Sequence, residues 1–141
     1  MTTFTSLKPI TTTLLATMIA FSIACGYSSK GTAAPPVAGS VPTISDLAPN
    51  STTAGSGGFT MTVNGTHFAS GATVNWNGVA QTSNTTFVSG SQLTVAVPAS
   101  AVATAGQVSI TVTNPATAGT GLYGGGGTLA ETSSSMTFTI N

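Results

Sequence analysis

One cysteine, one histidine and two carboxylates are the only clearly reactive side chains in this 141-residue chain, apart from two cations and many hydroxyls. Cys25 is the single thiol, His67 the single imidazole, and Asp46 and Glu131 the two acids. A zinc site takes about four Cys, His or acidic ligands, and one Cys with one His falls short. A calcium cage takes several carboxylates, and Asp46 and Glu131 are too few. Acid–base catalysis has almost nothing to titrate. A Ser-His-Asp triad is possible on residue types, but no G-x-S-x-G elbow is present and Asp46 sits in a turn region. His67 is expected at the surface or capping a turn. No catalytic residue, metal or cofactor is therefore expected. Two Lys plus Arg cannot neutralise enough phosphates to hold a nucleic acid.

The remaining chemistry is covalent and lies at Cys25. From Ile10 to Ala24 the chain runs ITTTLLATMIAFSIA, apolar and uncharged, behind the lone Lys8. Fifteen residues are too few for a bilayer core, which needs about 20, but they suit the h-region of a secretory signal. Ser22-Ile23-Ala24-Cys25 resembles the lipobox of bacterial lipoproteins, with Ser22 where that family carries Leu, Val or Ile. The resemblance implies removal of residues 1–24, lipidation of the Cys25 thiol and acylation of the new amino group. Two or more acyl chains give stable anchoring where one does not. Gly26, not Asp, follows the cysteine, which in that family implies passage to the outer membrane. The competing reading is ordinary signal cleavage after Ala24 and secretion. Residues 25–40, with small residues and Pro35-Pro36, read as a flexible tether.

The elements beyond the tether are strands. Only 3% of the chain is charged, yet 40% is hydrophobic and the net charge is zero, unlike a disordered chain. Thr and Ser make up roughly a third of it, and Thr suits a pleated surface with a wet outer face. Phe59–Val63, Ala72–Trp76, Gln92–Val97, Gln107–Thr113 and Met136–Ile140 alternate apolar and polar with period two, and Asn77-Gly78 marks a hairpin. About seven or eight strands are expected, in a sandwich or barrel. The inward set is Ile44, Leu47, Phe59, Met61, Val63, Phe68, Val74, Trp76, Phe87, Leu93, Val95, Val97, Val108, Ile110, Val112, Met136, Phe138 and Ile140.

Five motifs in order resemble the IPT/TIG family. Pro42-Thr43-Ile44-Ser45-Asp46-Leu47-Ala48-Pro49-Asn50-Ser51 is similar to its P-x-I-x-x-L-x-P-x-S opening. Phe59 to Phe68 resembles its second strand with the G-x-x-F ending, and Val74–Gly78 its hairpin. Leu93–Pro98 and Val108–Pro115 resemble its L-x-V-x-V-P and V-x-V-x-N-P strands. The resemblance implies an all-β, immunoglobulin-like sandwich over 41–141, and it speaks for the fold, not a reaction. Residues 114–134 depart from it as a Gly-rich insertion with Gly124–Gly127, longer than most loops. Leu122 and Tyr123 inside it are the expected partner contacts.

The expected function is a non-enzymatic, lipid-anchored adhesion or scaffold module of the bacterial cell envelope. Its partners would be the membrane, through Cys25, and an unidentified envelope protein or polysaccharide. A carbohydrate-binding accessory module is the alternative, with Tyr27, Trp76 and Tyr123 as the aromatics able to stack on sugars. A small hydrolase is the third reading. Asn50, Asn64 and Asn84 begin N-x-Ser/Thr sequons, which arise by chance in a chain this rich in Ser and Thr.

Overall fold

The computed structural model describes residues 33–120 and 125–141, all within the compact unit Gly31–Asn141. Ten strands occur there: β1 (Thr43–Ala48), β2 (Ser51–Thr52), β3 (Phe59–Thr66), β4 (Thr73–Trp76), β5 (Val79–Ala80), β6 (Thr85–Ser89), β7 (Gln92–Val97), β8 (Gly106–Asn114), β9 (Glu131–Thr132) and β10 (Met136–Ile140). One turn of 3-10 helix, Ala99–Val102, bridges β7 to β8. One sheet has the order β1-β3-β7-β6, the other β2-β10-β8-β4-β5, with β9 also on β8. All pairings are antiparallel except β2 with β10. This is the immunoglobulin-like sandwich that the motifs imply. The strand count exceeds expectation because β2 and β9 are two residues long and carry no legible period.

Alternation decides what is buried. Met61 and Val63 on β3, Leu93, Val95 and Val97 on β7, and Ile110 and Val112 on β8 point into one core with Phe138 and Ile140. Fully burying such a side chain stabilises by about 1.5–3 kcal/mol, before the entropy of ordering the chain is counted. Ile44, Phe59, Trp76 and Met136 pack against this core but are only partly buried. Phe87 corrects the expectation. Its register opposite Leu93 sets it on the inner face, yet it is 38% exposed. β6 is an edge strand with an irregularity between Phe87 and Ser89, so among the described residues no further strand flanks the ring. Val102 completes the core from outside the alternating runs, and Ala72, which opens the Ala72–Trp76 run, joins it though absent from the expected inward set.

β9 and β10 are two pieces of one interrupted strand along β8. Between the pairs Ile110↔Met136 and Thr113↔Thr132, β8 advances three residues while its partner advances four. That extra residue is a bulge. Ser133 sits in it, buried, accepting the Val112 N–H at its Oγ (2.9 Å) and donating the hydroxyl to Ser134 O (2.8 Å). The side chain supplies the acceptor that a regular ladder would have supplied from the backbone. Gly65 is required at the crossing of β1 and β3, where a Cβ would run into the Thr43 carbonyl and the Phe68 ring.

The stretches expected as tether and insertion meet. Thr117 and Thr128 exchange both backbone bonds (3.0 and 3.2 Å), and their hydroxyls lie 2.9 Å apart. Val37 lies on the other side of Thr128, donating to Gly127 O and accepting from Leu129 N, each at 2.9 Å. Gly126 N donates to Ala34 O (3.2 Å). The insertion is also narrower than 114–134, because Asn114 ends β8 and Glu131–Thr132 form β9.

Candidate functional site

Cys25, Leu122 and Tyr123, the residues expected to carry lipid and partner contacts, lie outside the described residues. His67 follows β3 with φ of 60°, exposed, with only the Thr66 hydroxyl beside its Nδ1 (3.3 Å). Asp46 is exposed on β1 and Glu131 lies on β9. Among the described residues no three His, Cys, Asp or Glu gather as metal ligands. Of the three sequons, Asn64 accepts from the Gln92 amide and Asn84 donates to the Gln81 side chain, so each has a local structural role.

Two ends of the sandwich are built differently. At the Asn114 end a buried carboxamide ties three segments together. Asn114 Nδ2 donates to Ser40 O and to His67 O, both at 2.8 Å, and its Oδ1 accepts from Ala69 N at 2.9 Å. Asn114 is only 4% exposed, so each bond replaces water that cannot reach it freely. Here the segment arriving from residue 40 is fixed to the domain.

At the Gly106 end the sandwich is open beside Trp76. β4 leads into the Asn77-Gly78 turn, where both residues have positive φ (49° and 82°) and Asn77 N donates to Ser109 O (2.8 Å). That is the hairpin geometry Asn-Gly selects, and it aims Trp76 at the gap between the sheets. The indole packs on Phe138 at 5.3 Å between centroids and 51° between planes, and Phe138 stacks in turn on Phe59 at 5.9 Å. Trp76 remains half-buried. It lines a small, partly open hollow of about 130 Å³ with Gln81, Pro98 and Ala101, and a wider, shallow groove of about 520 Å³ with Asn77, Gln81, Thr104 and Gln107. The two share Trp76, Gln81 and Ala101 and form one depression.

Gln81 is held firmly in that wall. Its carbonyl accepts from Asn84 N, Thr85 N and the Thr85 hydroxyl at 2.8–3.0 Å, while its N–H donates to Val74 O. Its side-chain amide donates to Val79 O (3.2 Å) and accepts from Asn84 (3.1 Å). Among the described residues no charged side chain lines the depression. It holds no general base and no activated nucleophile; it can bind, but it cannot run acid–base chemistry. The sequence placed Trp76 in the core because it continues the Val74 alternation. The amides that surround it, Asn77 from the β4–β5 turn, Gln81 just past β5 and Gln107 on β8, have no signature in the sequence.

Two facing sheets with the orders β1-β3-β7-β6 and β2-β10-β8-β4-β5 place the domain among the immunoglobulin-like sandwiches. The model of the IPT/TIG domain family matches residues 42–140, and the chain belongs to that family. The family is non-catalytic, and its members serve as interaction or scaffold modules. No curated protein and no solved structure matches the chain.

Proposed function

We propose that the protein is an IPT/TIG interaction module tethered to the bacterial cell envelope through a lipidated Cys25, where it serves as an adhesion or scaffold element. The observation that carries this reading is a lone cysteine directly behind a 15-residue uncharged apolar stretch and ahead of a Gly- and Pro-containing spacer. A diacylated thiol would hold the domain stably without a membrane-spanning segment. The shortage of titratable groups supports binding over catalysis, and Gly26 favours the outer membrane as destination. Detergent phase partitioning and intact-mass measurement of wild type against Cys25→Ser test the anchor. Wild type should enter the detergent phase with a mass above that of its polypeptide from Cys25 onward, and Cys25→Ser should stay in the aqueous phase. Aqueous behaviour of both would refute the anchor and leave the secreted form.

A second reading, a carbohydrate-binding accessory module, is favoured by one specific feature, the uncharged depression that leaves part of Trp76 open.

A further inference from the structure

The depression beside Trp76 is the part of the surface that the fold does not require. A sandwich of this kind gains by covering its largest aromatic, since such a ring carries more burial energy than any other side chain. Here the chain's single Trp is covered on Phe138 and left partly open toward the groove.

The lining chooses among ligands. Asp46, Glu131 and His67, the described ionisable side chains, line neither the hollow nor the groove. A charged ligand would lose its hydration there without gaining a counter-charge. A wholly apolar ligand would cover the carboxamides of Asn77 and Gln107 and leave donors and acceptors unpaired, at about 1–3 kcal/mol each. A carboxamide carries two N–H donors and an acceptor oxygen, a set that matches hydroxyls in either role, and Gln81 keeps its second N–H beside the bonds to Val79 and Asn84. A pyranose ring meets both demands, with a C–H face for the indole and a rim of hydroxyls for the amides. The groove, at about 520 Å³, is shallow and open to solvent, a shape that admits one ring of a longer chain.

The site is also partly preorganised and well placed. Gln81 is fixed by the bonds already described and Trp76 stands on a strand, so these two lose little freedom on binding, while the exposed side chains of Asn77 and Gln107 would be ordered by the ligand. β8 runs from Gly106 at the groove to Asn114, where Ser40 joins the domain. Its nine residues separate the two ends by roughly 26 Å. The tether therefore enters at the end of the sandwich away from the groove.

We propose that the groove beside Trp76 binds a neutral saccharide, one ring stacking on the indole and its hydroxyls bonding to the amides of Gln81, Gln107 and Asn77. The proposal deepens the carbohydrate reading above and does not depend on the anchor.

Because Trp76 is the only tryptophan, its emission reports directly on the groove. The full-length protein in detergent would be titrated with malto-, cello-, manno- and xylohexaose, and with hexagalacturonate as an anionic control. At least one neutral oligosaccharide should shift Trp76 emission saturably, and the anionic control should not. Gln107→Ala, an exposed position that leaves the core intact, should weaken binding about tenfold, which is ~1.4 kcal/mol. Trp76→Phe keeps a ring on Phe138 and should reduce retention on the matching insoluble polysaccharide. The proposal is overturned if no neutral oligosaccharide shifts the emission, if the anionic control binds as well, or if both variants bind like wild type. Failure here with lipidated Cys25 would leave the anchored scaffold standing, and saccharide binding by a protein lacking lipid would remove only the anchor.

Discussion

Asn114 shows how much structure one side chain can organise in a domain almost without charge. It holds the carbonyls of Ser40 and His67 and the N–H of Ala69, groups 45 to 74 residues away in sequence. Truncation to Ala strands all three at a buried position, and an unsatisfied buried group costs about 1–3 kcal/mol. Asn114→Ala should therefore lower the free energy of unfolding by about 2–4 kcal/mol in urea titration, below the full sum because water can reach some of the vacated partners. A loss under ~0.5 kcal/mol would mean the three segments hold together without it. Sequence reasoning placed this residue correctly inside the Val108–Pro115 motif. It gave no role, because the role depends on partners that only the fold brings near. Trp76 was legible to the same depth. Its alternation with Val74 correctly turned it inward, and only the strand pairing reveals that it ends where the sandwich opens.

Strands were the most legible level, since period two is a direct consequence of the pleat. β8 carries the clearest alternation, with Val108, Ile110, Val112 and Asn114 buried and Thr111 half-buried on the opposite face. β10 and β4 both pair with β8, so it is central and its inner face is closely packed. Ile110→Ala should cost about 2–5 kcal/mol. Thr111→Ala loses a half-buried methyl and a hydroxyl that accepts from the Asn75 amide on the outer face, and should cost about 1 kcal/mol. Thermal or urea unfolding of the two variants measures the difference, and equal losses would refute the face assignment. Where the period failed, the cause is local. Phe87 has the right face but stands on an edge. β9 lies behind the Ser133 bulge, which shifts the register by one and hides the continuity with β10. Val102 is buried from a 3-10 turn, whose three-residue repeat leaves no mark over four residues.

At the scale of the whole molecule, the ladder through Val37, Thr128 and Thr117 couples the arriving tether to the insertion. None of its residues belongs to the hydrophobic core, so it should open as a local unit without unfolding the sandwich. Thr128→Pro tests this directly. The substitution removes the N–H that donates to the Thr117 carbonyl and hydroxyl. It also restricts the backbone of Gly127, whose carbonyl accepts from Val37. Both seams should loosen together. Val37 and Leu129 are exposed apolar residues on two of the three segments of the ladder, suited to a protease that cuts beside large apolar side chains. In limited proteolysis the variant should be cut near both positions at matching, increased rates. Its melting temperature should fall by no more than about 3 °C, since the bonds lost are exposed and a domain of this size shifts ~4–8 °C per kcal/mol. Cleavage confined to Leu129 would show that the tether is seated without Thr128. A fall beyond about 6 °C would place the ladder inside the cooperative unit, making the insertion part of what holds the sandwich together.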